Sequence, residues 1–198
     1  MPVPPDQVLD LGDDAWLASW QRPDLPAALM NELVSTLPWE QPSLQLFGRW
    51  HRIPRLQCWC GDAGMSYRYS GRRHDAHPWN APLQTLRTLA QEYTGQRYNS
   101  VLVNLYRDGA DSMGWHADDE ASLGATPWIA SWSLGAERDF TLRRRGSHGI
   151  EHVLPLQHGQ LLLMSPAVQR DWQHALPRRR RVSAARLNLT FRYIVRPD

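Results

Sequence analysis

Apolar positions in this chain follow two periods. Between residues 24 and 38 the spacing is helical: Leu25, Leu29, Leu33 and Leu37 recur every fourth position and form one stripe. Asp24 is placed to cap this helix, Pro26 falls in its first turn and Pro38 ends it. A second helix is predicted from a cap at Asn80 to Gly95, with Leu83, Leu86, Leu89 and Ala90 facing the core. Elsewhere the pattern is that of strands. Residues 44–60 read as strands around a turn at Gly48, and Tyr67-Arg68-Tyr69 alternates so that both rings share a face. From residue 100 short strands follow one another: Ser100–Tyr106, Trp128–Leu134, Asp139–Leu142, Glu151–Leu156, Gln160–Met164, Asp171–Ala175 and Ala184–Tyr193. Glycine, proline or aspartate separates most of them. This spacing predicts a mainly β, α+β protein: a sandwich or jelly roll with two helices against the outside of one sheet. Residues 1–23, rich in proline and aspartate, read as a loosely packed leader docked through Trp16, Leu17 and Trp20.

One strand departs from the usual half-buried pattern. In Arg186–Arg192, Leu187, Leu189 and Phe191 point one way, while Arg186, Asn188, Thr190 and Arg192 point the other. A strand of this length separates the two arginine Cα atoms by roughly 20 Å. Each side chain reaches ~6–7 Å, so two arginines leaning inward leave a gap of about 6–8 Å. That gap suits a short dicarboxylate with a guanidinium near each end. The alternative is a plain edge strand with solvated arginines.

Composition narrows the picture. The 198 residues are enough for one sizeable core. The apolar runs are too short to cross a membrane, and the N-terminus lacks the basic and apolar regions of a signal peptide. Cys58 and Cys60 make no disulfide framework, so a reducing cytoplasm and two structural thiols are expected. All 22 basic residues are arginine, and the net charge of +2 hides an asymmetry. Residues 1–45 hold seven acids and one base, leaving 13 acids and 21 bases beyond them. A basic body points to an anionic partner such as nucleic acid; ordinary surface arginine is the alternative.

The candidate chemistry lies in three short segments. His116 and Asp118 are two residues apart, on one side of an extended chain. His174 follows shortly before the arginine strand. Two histidines and one carboxylate can cap one face of an iron(II) ion and leave the opposite face open to an oxidant and a cosubstrate. A lone His-x-Asp is a weak signal. Its combination, in this order, with a distant histidine and Arg-x-Asn-x-Thr-x-Arg is specific.

On these residues the chain resembles the AlkB family of iron(II)- and 2-oxoglutarate-dependent dioxygenases, and most of all the branch acting on double-stranded DNA. Further matching segments include Phe47–His51, Ile53–Arg55, Gly61–Gly64, Tyr67–Gly71, Asn99–Asp108, Arg138–Phe140 and His174–Pro177. The resemblance covers residues 44–194, and its most specific motif is Arg186–Arg192. It implies a double-stranded β-helix (jelly roll). The acidic leader and first helix, residues 1–43, would pack on a dioxygenase domain, 44–198. That domain would hold a nucleotide-recognition region at about 44–98 and a jelly-roll core at about 99–194. The resemblance implies Fe(II) on His116, Asp118 and His174, with O2 as oxidant. It further implies that 2-oxoglutarate is held by Asn104, Tyr106, Arg186, Asn188, Thr190 and Arg192.

The reaction implied is hydroxylation of the N-methyl carbon of 1-methyladenine or 3-methylcytosine, with release of formaldehyde, succinate and the repaired base. Such a base must leave the duplex to be reached. Tyr67 and Tyr69 are expected to hold it, Phe47, beside Gly48 at the hairpin tip, to fill the gap, and Arg49 and Arg55 to hold phosphates. Asp119 or Glu120 is expected to meet a base amino group. The runs Arg143–Arg145 and Arg178–Arg181 would grip backbone. The expected partner is alkylated DNA, duplex or single-stranded, bound by a monomer away from membranes. Rival readings keep the chemistry but act on RNA or a protein side chain, or keep nucleic-acid binding without catalysis.

Overall fold

The computed structural model describes residues 2–46, 48–69 and 72–195. Two sheets face each other. The larger has seven strands: β1 (Gln7–Gly12), β2 (Ala15–Gln21), β5 (Leu56–Gly61), β8 (Ser100–Tyr106), β10 (Ile129–Gly135), β13 (Gln160–Met164) and β15 (Arg186–Arg192). Its order is β1-β2-β13-β10-β15-β8-β5. The smaller holds β9 (Met113–His116), β11 (Arg138–Arg144), β12 (His152–Leu156) and β14 (Trp172–Leu176), in the order β12-β11-β14-β9. Two separate ribbons, β3 (Ser43–Leu46) with β4 (Arg49–Arg52) and β6 (Ser66–Tyr69) with β7 (Arg72–Asp75), lie in the N-terminal half. This is the jelly-roll architecture.

The period-two pattern of the large sheet explains both layers. Its outer face carries Val101, Val103, Trp132, Leu134, Leu187, Leu189 and Phe191, all buried under helices α1 (Ala27–Thr36) and α2 (Ala81–Thr94). Trp132 fixes the packing by donating its indole N–H to the Leu86 carbonyl of α2, at 3.1 Å. The inner face changes character across the sheet. On β2, β13 and the start of β10 it is apolar, and Leu17, Leu162, Met164 and Ile129 pack against Leu142, Leu156 and Trp172 of the small sheet. Toward β15 and β8 it turns polar, and there the sandwich holds a cavity in place of a core.

The helix limits match the stop signals. Asn80 Oδ1 accepts from the Leu83 N–H at 3.0 Å, and Gly95 closes α2 in the left-handed region, φ +70°. The first helix differs from expectation at its start. Pro26 is its N-cap, while Asp24 is ion-paired with Arg22 at 2.8 Å and caps nothing.

The leader departs further. Residues 7–21 form β1 and β2, and β2 sits between β1 and β13 inside the large sheet. The turn between them uses positive φ at Gly12, Asp13 and Asp14. The aspartates that read as loose chain are thus turn formers, since Asp tolerates the left-handed region better than most residues. Helix α3 (Pro166–Asp171), between β13 and β14, had no clear sequence signal.

Candidate active site

Strand β15 builds one wall. Its register places Arg186 beside Tyr106 of β8, and Asn188 between Asn104 of β8 and Ser133 of β10. Thr190 lies between Leu102 and Ser131. Directly opposed residues share a face, so these side chains, all polar except Leu102, form a lattice on the inner face. The opposite wall comes from the small sheet, where His174 of β14 is the register partner of His116 of β9. All of these except Ser133 line one cavity, together with Asp118, Phe140, Met113 and Arg192.

At one end of the cavity stand the expected metal ligands. The imidazoles of His116 and His174 have their centroids 4.3 Å apart, and His174 Nε2 is 3.8 Å from Asp118 Oδ2. Asp118 is 2% exposed. Its backbone N–H donates to Gln169 Oε1 of α3 at 2.9 Å, and its Oδ1 accepts from Arg192. Phe140 stacks on His174 with centroids 5.0 Å apart. His116 Nδ1 lies 2.9 Å from the Gly114 carbonyl, which fixes the ring. Burial, and after it the neighbouring His116, pushes His174 down to about 3, so its ring is neutral. Burial pushes the Asp118 carboxyl up, but the Arg192 guanidinium, first among its neighbours, outweighs it and holds it below the usual carboxylate range. Among the described residues no three such side chains stand at ligand spacing around one point, because Asp118 is turned onto Arg192.

The other end is cationic. Arg186 is 2% exposed; it donates to Ser133 Oγ at 2.9 Å and its Nε has no partner. Its guanidinium is 5.6 Å from the Tyr106 ring centroid, with that of Arg138 at 5.9 Å on the same ring. Burial lowers Arg186 to about 10. Burial also pushes the Tyr106 phenol up, against the pull of Arg186, Arg55 and Arg138. Asn104 accepts from Arg55 Nε at 2.9 Å. Asn188 donates to Ser131, and Thr190 donates to Asn188 Oδ1 at 3.2 Å.

Several substrate-side expectations change. Arg55 is buried behind Asn104, not displayed to a phosphate: the strand that begins just after it turns its side chain inward. Asp119 is ion-paired with Arg145 at 2.6 Å, while Glu120 is exposed. The run Arg143–Arg145 is engaged within the fold. Arg143 lies over Trp115 and bonds Gln173, Arg144 bonds Asp13, and Arg145 also bonds the Gln169 carbonyl. Of Arg178–Arg181, Arg179 turns in to Asp139 and the other three are exposed. Gly48 takes the turn at φ +78° and Arg49 is exposed, as expected. Phe47 lies outside the described residues, and so do the side chains of Tyr67 and Tyr69.

Five residues that support the site were given no role by the sequence reading. Ser131 and Ser133 tie down Asn188 and Arg186, and period-two alternation on β10 identifies their face. Gln169 is reached only through tertiary contact. Arg138 is buried and donates to the carbonyls of Asp108, Asp111 and Pro177 at 3.0, 2.9 and 2.7 Å. It clasps the loop before β9 to the chain after β14. Gly109 completes this clasp: a Cβ there would stand 1.7 Å from the Arg179 carbonyl.

Comparison with known proteins agrees with this construction. The sequence pattern of the 2OG-Fe(II) oxygenase superfamily matches residues 13–192. The chain is 47% identical to the mouse protein "DNA oxidative demethylase ALKBH2" over 159 residues, 77% of this chain and 66% of that protein. It is 41% identical to human "Alpha-ketoglutarate-dependent dioxygenase alkB homolog 3", covering 86% of this chain and 62% of that one. The Arabidopsis thaliana protein named for ALKBH2 is 35% identical, covering 98% of this chain and 71% of its own. The chain thus spans about two thirds or less of the length of the first relatives it matches. In fold it is similar to the solved structure of OsALKBH1, with a TM-score of 0.66 and 15% identity, covering 94% of this chain and all of that one. Matched over nearly its whole length, the chain belongs to the AlkB family of the 2OG-Fe(II) oxygenase superfamily.

Proposed function

We propose that this protein oxidatively demethylates N-alkylated bases such as 1-methyladenine and 3-methylcytosine in DNA, releasing formaldehyde and succinate. One observation carries the reading: a neutral, buried His174 and an ionised, buried Asp118 face His116 at one end of a cavity whose other end holds the buried Arg186. The relatives named DNA oxidative demethylases support DNA as the substrate.

The superfamily works with iron(II), 2-oxoglutarate and dioxygen. The residues present fit these groups. His116, Asp118 and His174 would hold the metal, which when bound supplies the oxidising chemistry. Two imidazoles and a carboxylate are the donor set for that role. His174 is neutral, as a ligand must be. Arg186 would take one carboxylate of 2-oxoglutarate, since its buried Nε lacks a partner and among the described residues no carboxylate pairs with it. Arg192, released from Asp118, would take the other. Asn104, Tyr106, Asn188 and Thr190 orient the cosubstrate from the same strands, and Phe140 keeps water from His174.

Outside the cavity, Arg49 and the exposed members of Arg178–Arg181 would hold phosphates, with no sequence read. Phe47 at the hairpin tip would fill the space left by the extruded base, Tyr67 and Tyr69 would stack on that base, and Glu120 is free to meet its amino group. The test is turnover on matched methylated oligonucleotides. Faster demethylation of duplex or single-stranded DNA than of RNA or peptide supports the reading; turnover on RNA alone would overturn it.

A further inference from the structure

Strands β3 and β4 form a ribbon that joins neither large sheet. Its register opposes Gln45 to Trp50, Ser43 to Arg52 and Leu44 to His51. Opposed residues share a face and neighbours alternate. One face therefore presents Trp50 and Arg52, the other Arg49 and His51. All four residues of β4 are exposed. Trp50 is 65% exposed, the most open of the large apolar side chains among the described residues. Packing a tryptophan removes roughly 150–250 Å² from water, and most of the Trp50 side chain is left uncovered on this ribbon. Residues 43–52 contain no acid and three arginines or histidines beside Trp50.

The surface that complements this ribbon is anionic and offers a flat apolar face, which is the chemistry of a nucleotide strand. A two-stranded ribbon is also of a size to enter a DNA groove. Trp50 follows the turn at Gly48 by two residues and stands opposite Gln45 on the ribbon.

We propose that Trp50 and Arg52 form a second DNA contact on this ribbon, with the indole flat on a deoxyribose flanking the extruded nucleotide and the guanidinium on the adjoining phosphate. This rests on the reading of the protein as a DNA demethylase. It makes Trp50 a residue for binding length of duplex, with no part in the chemistry.

The experiment compares wild type, Trp50→Ala and Trp50→Phe on a methylated duplex that spans the ribbon and on a methylated trinucleotide too short to reach it. Trp50→Ala should weaken duplex binding about tenfold, the order expected for an uncovered aromatic contact. Trp50→Phe should keep most of the affinity. Trinucleotide turnover and the melting temperature should not change in either variant. Duplex DNA should quench tryptophan fluorescence in the wild type, and part of that quench should vanish in Trp50→Phe. Unchanged duplex affinity in Trp50→Ala, or equal losses on duplex and trinucleotide, would overturn the proposal. If the wild type neither binds nor demethylates any oligonucleotide, the demethylase reading fails and takes this contact with it; if the wild type acts on DNA and only the Trp50 results fail, the demethylase reading stands.

Discussion

Arg192 and Asp118 are in contact, yet the proposed chemistry assigns them to different partners. A buried carboxylate must be compensated, and Arg192 is the nearest cation. Binding of metal and cosubstrate would exchange this pair for two others. His174→Ala should therefore cut turnover by more than about 100-fold, because losing a ligand exceeds the 10–100-fold cost of losing a ligand's supporting contact. Its melting temperature without metal should stay close to wild type. Metal titration and formaldehyde release check this, and near-normal activity would remove His174 from the ligand set. Arg186→Lys keeps the charge but loses the planar fork that meets a carboxylate with two hydrogen bonds. A charge-assisted bond is worth roughly 1.5–3 kcal/mol, so 2-oxoglutarate affinity should fall by about tenfold or more. An unchanged affinity would give Arg186 another role. At this scale the sequence was most readable along Arg186–Arg192, because strand alternation alone separates Arg186 from Leu187. Arg55 was misread for the opposite reason. Charge makes an arginine look exposed, and only its tertiary contact with Asn104 turns it inward, whereas Arg144 and Arg145 stay at the surface in ion pairs with Asp13 and Asp119.

Among the elements, α1 and α2 and most of the later strands followed their stripes and stop signals, apart from the start of α1. Helix α2 obeys both its Asn80 cap and its Gly95 stop. Strands β1 and β2 did not announce themselves. Their turn concentrates Asp13 and Asp14, and β1 alternates Leu9 and Leu11 with exposed Val8 and Asp10, so the acids mask the period. What makes them strands is β13, which pairs with β2 from Met164↔Leu17 to Gln160↔Gln21. The leader therefore belongs to the core. Leu17 and Trp20 are 2% and 4% exposed, and each buried side chain of this size is worth roughly 1.5–3 kcal/mol. Removing residues 1–23 takes away both strands, set against a total stability of about 5–15 kcal/mol. The truncated chain should be insoluble or melt far below the full one. A truncated protein with wild-type melting would show that the two strands are dispensable.

Across the whole molecule, charge and topology are aligned. The acidic hairpin with Asp10, Asp13 and Asp14 forms one edge of the large sheet, and β5 forms the other. Six strand spacings of about 4.8 Å set the two edges nearly 30 Å apart. The arginine-bearing ribbon is anchored near β5, through the backbone bonds of Glu40 with Gln57 and of Ile53 with Pro42. An anionic duplex, the proposed substrate, would be drawn toward the ribbon side. The polar quarter of the sandwich interior opens where β15 and β8 meet β9 and β14. Fold, charge and cavity together support the proposed reaction, base demethylation in which His116, Asp118 and His174 would hold the metal and Arg186 and Arg192 the cosubstrate. The most direct measurement is formaldehyde released from a methylated duplex oligonucleotide in the presence of iron(II), with and without 2-oxoglutarate. The account predicts formaldehyde and succinate in equal amounts, none without 2-oxoglutarate and none from His174→Ala. Formaldehyde that forms without 2-oxoglutarate, or no formaldehyde from metal-loaded wild type, would contradict it.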